Sequence, residues 1–191
     1  MTEKNRLVVG ISGASGASLA VTLLEQMKHQ NQWETHLIVS SGAKRTIEIE
    51  LTETLQYVES LATNVYDLDD MGAGIASGTF KTDGMAIIPC SMKTLAGIAN
   101  GFSENLLIRA ADVTLKESRP LVLVVRETPL SPIHLKNMSI VASHGVTLMP
   151  PMMTFYNNPA NIMDMQIHIV GKVLNEFGIE AKGFKRWNGC A

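Results

Sequence analysis

The sequence predicts one α/β domain, a mostly parallel sheet covered by helices on both faces. Three observations carry that expectation. Strand-like and helix-like segments alternate along the chain, the central strand-like runs are continuously apolar, and polar clusters recur where those runs end. Parallel neighbours need crossover connections, and helices laid on both faces bury both sides of every strand.

The elements follow in order. Leu7 to Ser12 reads as a buried first strand, and Gly13-Ala-Ser-Gly16 as a glycine-rich turn. Leu19, Leu23 and Leu24 give a helical period over Ala17 to Met27. Thr35 to Ser40 is a second strand, with a helix expected over Ala43 to Leu51 and a short edge strand at Asn64-Val-Tyr66. Gly84 to Pro89 is a central strand, because its apolar run is continuous. Ser91 stands where a helix can start, and the chain breaks at Asn100-Gly101. Ser103 is the expected N-cap of a helix running to Glu117. Leu121 to Val125 is a strand, Ile133 to His144 a helix, Gly145 to Met149 a strand and Ile162 to Phe177 the last long helix. No fixed-period repeat or long linker interrupts residues 1–191, which read as a single domain.

Composition narrows the function. With 46% hydrophobic residues the chain can fold without metal or disulfide staples. A formal net charge of −2 argues against a broad nucleic-acid-binding face, although it leaves room for a local basic pocket. No segment approaches the roughly 18 apolar residues of a membrane span, and the apolar run Leu7 to Ile11 is too brief for a signal peptide. The natural reading is cytoplasmic. Cys90 and Cys190 fit a reducing compartment and make no CxxC motif. His29, His36, His134, His144 and His168 are scattered without a metal-binding pattern, so no metal is assigned.

In a parallel sheet, strand carboxyl ends and helix amino ends gather at one edge, where ligands bind. Ser12 to Ser15, Ser40-Ser41, Ser91 to Thr94 and Arg126-Glu127 all fall at expected strand ends. Gly10, Gly13 and Gly16 are spaced GxxGxxG, which departs from the dinucleotide fingerprint, and no GxxxxGK[ST] loop is present. That turn can present amides and the Ser15 hydroxyl to an anion, or serve close packing alone. Ser91, Met92, Lys93 and Thr94 can bind an anion or simply cap a helix. Arg126 can hold phosphate through its guanidinium fork and Glu127 can exchange a proton, or both can be solvated loop charges. Arg109 and Lys116, seven residues apart, address one helix face. Cys90 reads as a packed strand-end residue, since no sequence-local partner would activate it. Met149, Met152 and Met153 suit ordinary packing, while the Tyr156 hydroxyl can orient a polar group beside that surface.

Taken together, Pro89-Cys-Ser-Met-Lys-Thr94, Arg109-Ala-Ala-Asp112 with Leu115-Lys116, Arg126-Glu-Thr-Pro129, Ile133-His-Leu-Lys-Asn137 and Phe155-Tyr-Asn-Asn-Pro159 resemble the UbiX-type flavin prenyltransferases. The likeness includes the small companion proteins of phenolic-acid decarboxylase systems, and runs from Gly13 to Trp187. It implies a Rossmann-like or flavodoxin-like three-layer domain that binds FMN and assembles as a homo-oligomer, commonly a dodecamer. The implied reaction joins dimethylallyl from dimethylallyl monophosphate to reduced FMN at N5 and C6, giving prenylated FMN for a UbiD-type decarboxylase.

Carried over by position, the resemblance places Gly13, Ala14, Ser15, Ser40, Ser91, Met92, Lys93, Thr94 and Arg126 around FMN. It implies proton handling or catalytic organisation for Ser15, Glu50 and Glu127. Lys116, Tyr156 and Lys172 become the prenyl-phosphate group, with Arg109 nearby and Ser77 in an active-site turn. The C-terminal segment is expected at the active site or the oligomer interface. From the residues alone, Glu50 is a helix-surface acid. Departures fall on the prenyl side: Met71 stands where some members carry tryptophan, and Lys172 where others have arginine, which keeps the charge without the rigid fork. Ile88 and Val125 replace a cysteine and a proline of other members. Two further readings are a flavin-dependent cysteine decarboxylase of the same homo-oligomeric fold family and a non-enzymatic FMN carrier or assembly subunit. The first generally uses a catalytic histidine for which this chain offers no clear counterpart.

Overall fold

The structure is a computed structural model that describes residues 4–187 and residue 189. Cys190 therefore lies outside the described residues. Six strands form one sheet in the order β3-β2-β1-β4-β5-β6, and every neighbouring pair is parallel. In chain order they are β1 (Asn5–Ile11), β2 (Trp33–Val39), β3 (Asn64–Tyr66), β4 (Gly84–Cys90), β5 (Leu121–Val125) and β6 (Thr147–Leu148). The helices are α1 (Ala17–Lys28), α2 (Ser41–Glu50), α3 (Leu55–Ser60), α4 (Met92–Ala99), α5 (Leu106–Lys116), α6 (Pro132–Ser143) and α7 (Ile162–Asn175).

The period-2 geometry of the strands builds two cores. Leu7, Val9 and Ile11 of β1, with Leu37, Ile88 and Val124, face a layer that includes α1, α2 and α7. Val8, Ile38, Ile87, Leu123 and Val125 face α4, α5 and α6. Because β4 and β5 lie between two neighbours and under helices on both faces, every residue of each is buried. On α1, Leu19, Ala20, Leu23, Leu24 and Met27 recur at helical spacing and are all buried. Fully burying a leucine of this kind contributes about 1.5–3 kcal/mol.

Most expected elements are present with shifted ends, and four differences have physical causes. The residue that caps α5 is Asn105, whose side chain accepts the Ile108 N–H at 3.2 Å, and not Ser103. Helix α3 was not expected: it buries only Val58 and so leaves almost no apolar stripe to read. The same holds for a single 3₁₀ turn at Gly74–Ala76. The expected five-residue strand at Gly145 to Met149 pairs over two residues only.

β1 has β2 on one side and β4 on the other, so the chain reverses its direction of travel across the sheet between them. A crevice opens outside the carboxyl ends at such a switch point.

Candidate functional site

At that switch point the strand ends are tied together from below. Ser12, buried at the end of β1, donates its hydroxyl to the Pro89 carbonyl at 3.0 Å and accepts the Ser91 N–H at 2.7 Å. The turn after β1 also touches the first turn of α2 through backbone. A Cβ added to Gly13 would stand 2.9 Å from the Gly42 Cα, so only glycine permits this approach.

Above this floor lies a cleft of about 440 Å³. Its polar side comes from the amino ends of two helices. Ser40 caps α2 by accepting the Ala43 N–H at 3.1 Å. Ser91 caps α4 by accepting the Thr94 N–H at 3.3 Å and donates to Thr94 Oγ1 at 3.1 Å. Each cap uses one amide, and the earlier amides of both first turns have no partner within their helix. Ser41, Gly42, Met92 and Lys93 line the same cleft, so both positive helix ends address one space. Leu68, Leu107 and Ile108 supply an apolar wall, and Glu127 stands at the margin, accepting the Thr128 N–H at 2.9 Å.

Beside the cleft, the amino end of α1 is already occupied. Glu50 Oε2 accepts the Gly16 N–H at 2.8 Å and the Ala17 N–H at 3.0 Å. Partial burial pushes this carboxyl upward, but hydrogen bonds from Ser15, Gly16 and Ala17 together with the charge of Arg126 outweigh it, and the group is held below the ordinary carboxylate value. Arg126 Nε in turn donates to the Ser15 carbonyl at 3.3 Å. The Gly16 amide serves an internal carboxylate, and the donors left to a ligand belong mainly to α2 and α4.

The remaining expected residues line two further clefts. Ser77, Arg109 and Lys116 line one of about 610 Å³ together with Lys81 and Arg119, so the seven-residue spacing does put Arg109 and Lys116 on one face. Arg119 shapes this cleft by donating to the Gly78 and Phe80 carbonyls at 2.7 and 3.1 Å. Lys116 pairs with the adjacent Glu117. Tyr156 and Lys172 line the other, of about 350 Å³, with Phe184, Arg186 and Trp187 of the C-terminal segment. Within one chain, then, Lys116 does not share a cleft with Tyr156 and Lys172.

Cys90 is fully buried, and burial pushes its thiol far above the usual range, which suits the packed strand-end role. Sequence reasoning singled out Ser41 with Ser40 at a strand end, and gave no site role to Gly42, Leu68, Asn105, Leu107, Ile108, Arg119 or His168. Of these, Gly42 carried a usable signal, a glycine directly after the Ser40-Ser41 pair that ends an apolar strand.

A Flavoprotein family model matches residues 1–176. A protein of Sedimentibacter hydroxybenzoicus named as a probable UbiX-like flavin prenyltransferase is 52% identical over 184 residues, covering 96% of this chain and 97% of that one. The structure of a dodecameric FMN-dependent UbiX-like decarboxylase from Escherichia coli O157:H7 superposes with a TM-score of 0.95 at 49% identity, covering 96% and 100% of the two chains. The structure of AnUbiX in complex with FMN and dimethylallyl pyrophosphate gives 0.96 at 44% identity, covering 98% and 100%. Two FMN-dependent cysteine decarboxylases share the fold at 16% and 14% identity, which carries likeness of fold alone.

Proposed function

This chain belongs to the Flavoprotein family, among the UbiX-like flavin prenyltransferases, and on that premise we propose that it transfers the dimethylallyl group of dimethylallyl monophosphate to reduced FMN. The observation that carries the reading is the single cleft at the switch point, polar where the amino ends of α2 and α4 meet and apolar at Leu68, Leu107 and Ile108. An isoalloxazine with a phosphate tail needs that pairing of surfaces. A cleft of about 440 Å³ is also of the size that holds small ligands, roughly 300–1,000 Å³.

Phosphate is held by the first-turn amides of α2 and α4 with Ser40, Ser91 and Thr94, and Gly13, Ala14, Ser15, Met92, Lys93 and Arg126 complete the FMN surroundings. Reduced FMN supplies the nucleophilic N5 and C6 positions. Lys116, Lys172 and Arg126 stabilise the charge that grows on the departing phosphate, with Arg109, Ser77 and Tyr156 fixing the donor. Glu127 moves a proton at the cleft margin, while Ser15 and Glu50 organise the turn beneath it. Apolar walls keep water from the allylic carbon.

Because Lys116 and Tyr156–Lys172 line different clefts of one chain, the reading requires copies of this chain to bring them together around one FMN. A closed homo-oligomer, a dodecamer as in the E. coli relative, does so by symmetry. Residues 1–191 act as one flavoprotein domain whose C-terminal segment joins that shared site. The product, prenylated FMN, is passed to a UbiD-type decarboxylase. No helix among the described residues is long and apolar enough to cross a membrane, and the reading places the enzyme in the cytoplasm.

Anaerobic incubation of the purified protein with reduced FMN and dimethylallyl monophosphate, followed by mass measurement of the extracted flavin, tests the proposal. A flavin heavier by the dimethylallyl group is expected; unmodified flavin from folded, FMN-loaded protein would overturn it.

A further inference from the structure

We propose that His168 is a positioning residue of the donor site, fixing the Tyr156 hydroxyl so that its proton is offered to the phosphate of the prenyl donor. This rests on the functional reading above and assigns a role to a side chain outside its residue set.

His168 lies on α7 one turn before Lys172, so the two share a helix face and one cleft. The residue is only 3% exposed. Nε2 stands 3.3 Å from the Tyr156 hydroxyl, and the rings meet edge to face with centroids 5.6 Å apart at 85°. Nδ1 is buried with no hydrogen-bond partner among the described residues. Tyr156 is thus the polar partner of an imidazole that would otherwise be costly to bury.

The tautomer follows from which nitrogen can be left bare. A proton on Nδ1 would be a buried, orphaned N–H, whereas a bare Nδ1 lone pair is an under-satisfied acceptor; the orphaned donor is the rarer case. On that ground the proton is assigned to Nε2, which donates it to the tyrosine oxygen. With that lone pair taken, the phenol proton is free to turn into the cleft that Tyr156 and Lys172 both line, where it serves as a donor to an anion. Burial, helped by the nearby Lys172 charge, holds the imidazole pKa down and keeps the ring neutral.

The pair is also held mechanically. Trp187 packs edge-on against Tyr156 at 5.4 Å, and Phe184 packs on the His168 ring at 5.4 Å. Phe184 is seated on Gly171, where an added Cβ would meet its ring at 2.4 Å.

The test uses FMN-loaded full-length protein. Binding of dimethylallyl monophosphate to the oxidised holoenzyme is measured by calorimetry, and KM and kcat for adduct formation with reduced FMN. His168→Phe should weaken donor binding and raise KM about fivefold, the scale of one neutral hydrogen bond, with kcat little changed. His168→Gln, which restores an N–H near the Nε2 position, should recover most of the loss. In a Tyr156→Phe background, His168→Phe should add nothing. Wild-type donor binding in His168→Phe overturns the proposal, as does a Gln variant no better than Phe, or a further loss in the Tyr156→Phe background. Wild-type holoenzyme that binds no donor would overturn the functional reading itself, and this role with it.

Discussion

The Glu50 carboxylate accepts the Gly16 N–H at 2.8 Å, so that the last residue of α2 caps the first turn of α1 from 34 positions along the chain. Gly16 has no side chain with which to cap its own helix. Losing the contact in Glu50→Ala should cost about 1 kcal/mol at neutral pH, and Glu50→Gln, which keeps an acceptor, should cost less. The folded-state pKa lies below the ordinary 4.5. The stabilisation is therefore complete above that ordinary value and is lost as pH falls through the lowered one. Denaturant titrations should show wild type and Glu50→Ala separated at neutral pH and converging in acid; a gap independent of pH would remove the charge from the explanation.

Gly13→Ala tests the backbone contact that closes the cleft floor. The new methyl would meet main-chain atoms of Gly42, which cannot rotate aside. The turn after β1 and the first turn of α2 should separate, at a cost of about 1–3 kcal/mol, and FMN should be retained more weakly. Thermal unfolding and flavin content after gel filtration check both; unchanged values would mean the turns yield without consequence.

Ser12→Ala tests the tie between β1 and β4. The hydroxyl satisfies the Ser91 N–H at the point where α4 begins, and alanine leaves that amide without its acceptor. A loss of about 1–3 kcal/mol is expected in denaturant titration. FMN binding should weaken with it, because Ser91 and the first turn of α4 line the cleft. Full stability in the variant would show that another group takes the Ser91 amide.

What the sequence made legible follows from how local each signal is. β4 and β5 were readable because a strand covered on both faces needs an unbroken apolar run, and Gly84 to Cys90 and Leu121 to Val125 have one. The short edge strand expected at Asn64-Val-Tyr66 is present over those three residues. Ser103 and Asn105 are both good caps two positions apart, so local chemistry did not choose between them. Glu50 looked like a surface acid because its partners Gly16 and Ala17 are distant in sequence and close only after folding. His168 belonged to no motif, since its link to Tyr156 spans 12 residues of loop and helix rather than a helical spacing. The division of Lys116 from Tyr156 and Lys172 was illegible for a different reason: residue types say which groups can hold phosphate, but not which copy of the chain supplies them.

Glu127→Gln separates proton transfer from binding. Glu127 lies at the cleft margin with its carboxylate fixed by the Thr128 N–H, just past the carboxyl end of β5. Glutamine keeps the size and an acceptor for that amide while removing the ability to take and return a proton. FMN affinity should change little, because the first turns of α2 and α4 are untouched. Adduct formation should slow about 10²–10⁴-fold if Glu127 transfers a proton in the rate-limiting step. Single-turnover mass measurement with saturating donor reads the chemistry directly, and a parallel FMN titration reads binding. Equal single-turnover rates would leave the departing phosphate as the group that moves the proton. A loss confined to FMN affinity would make Glu127 a binding residue, since only a group acting in the reaction slows turnover once the site is full.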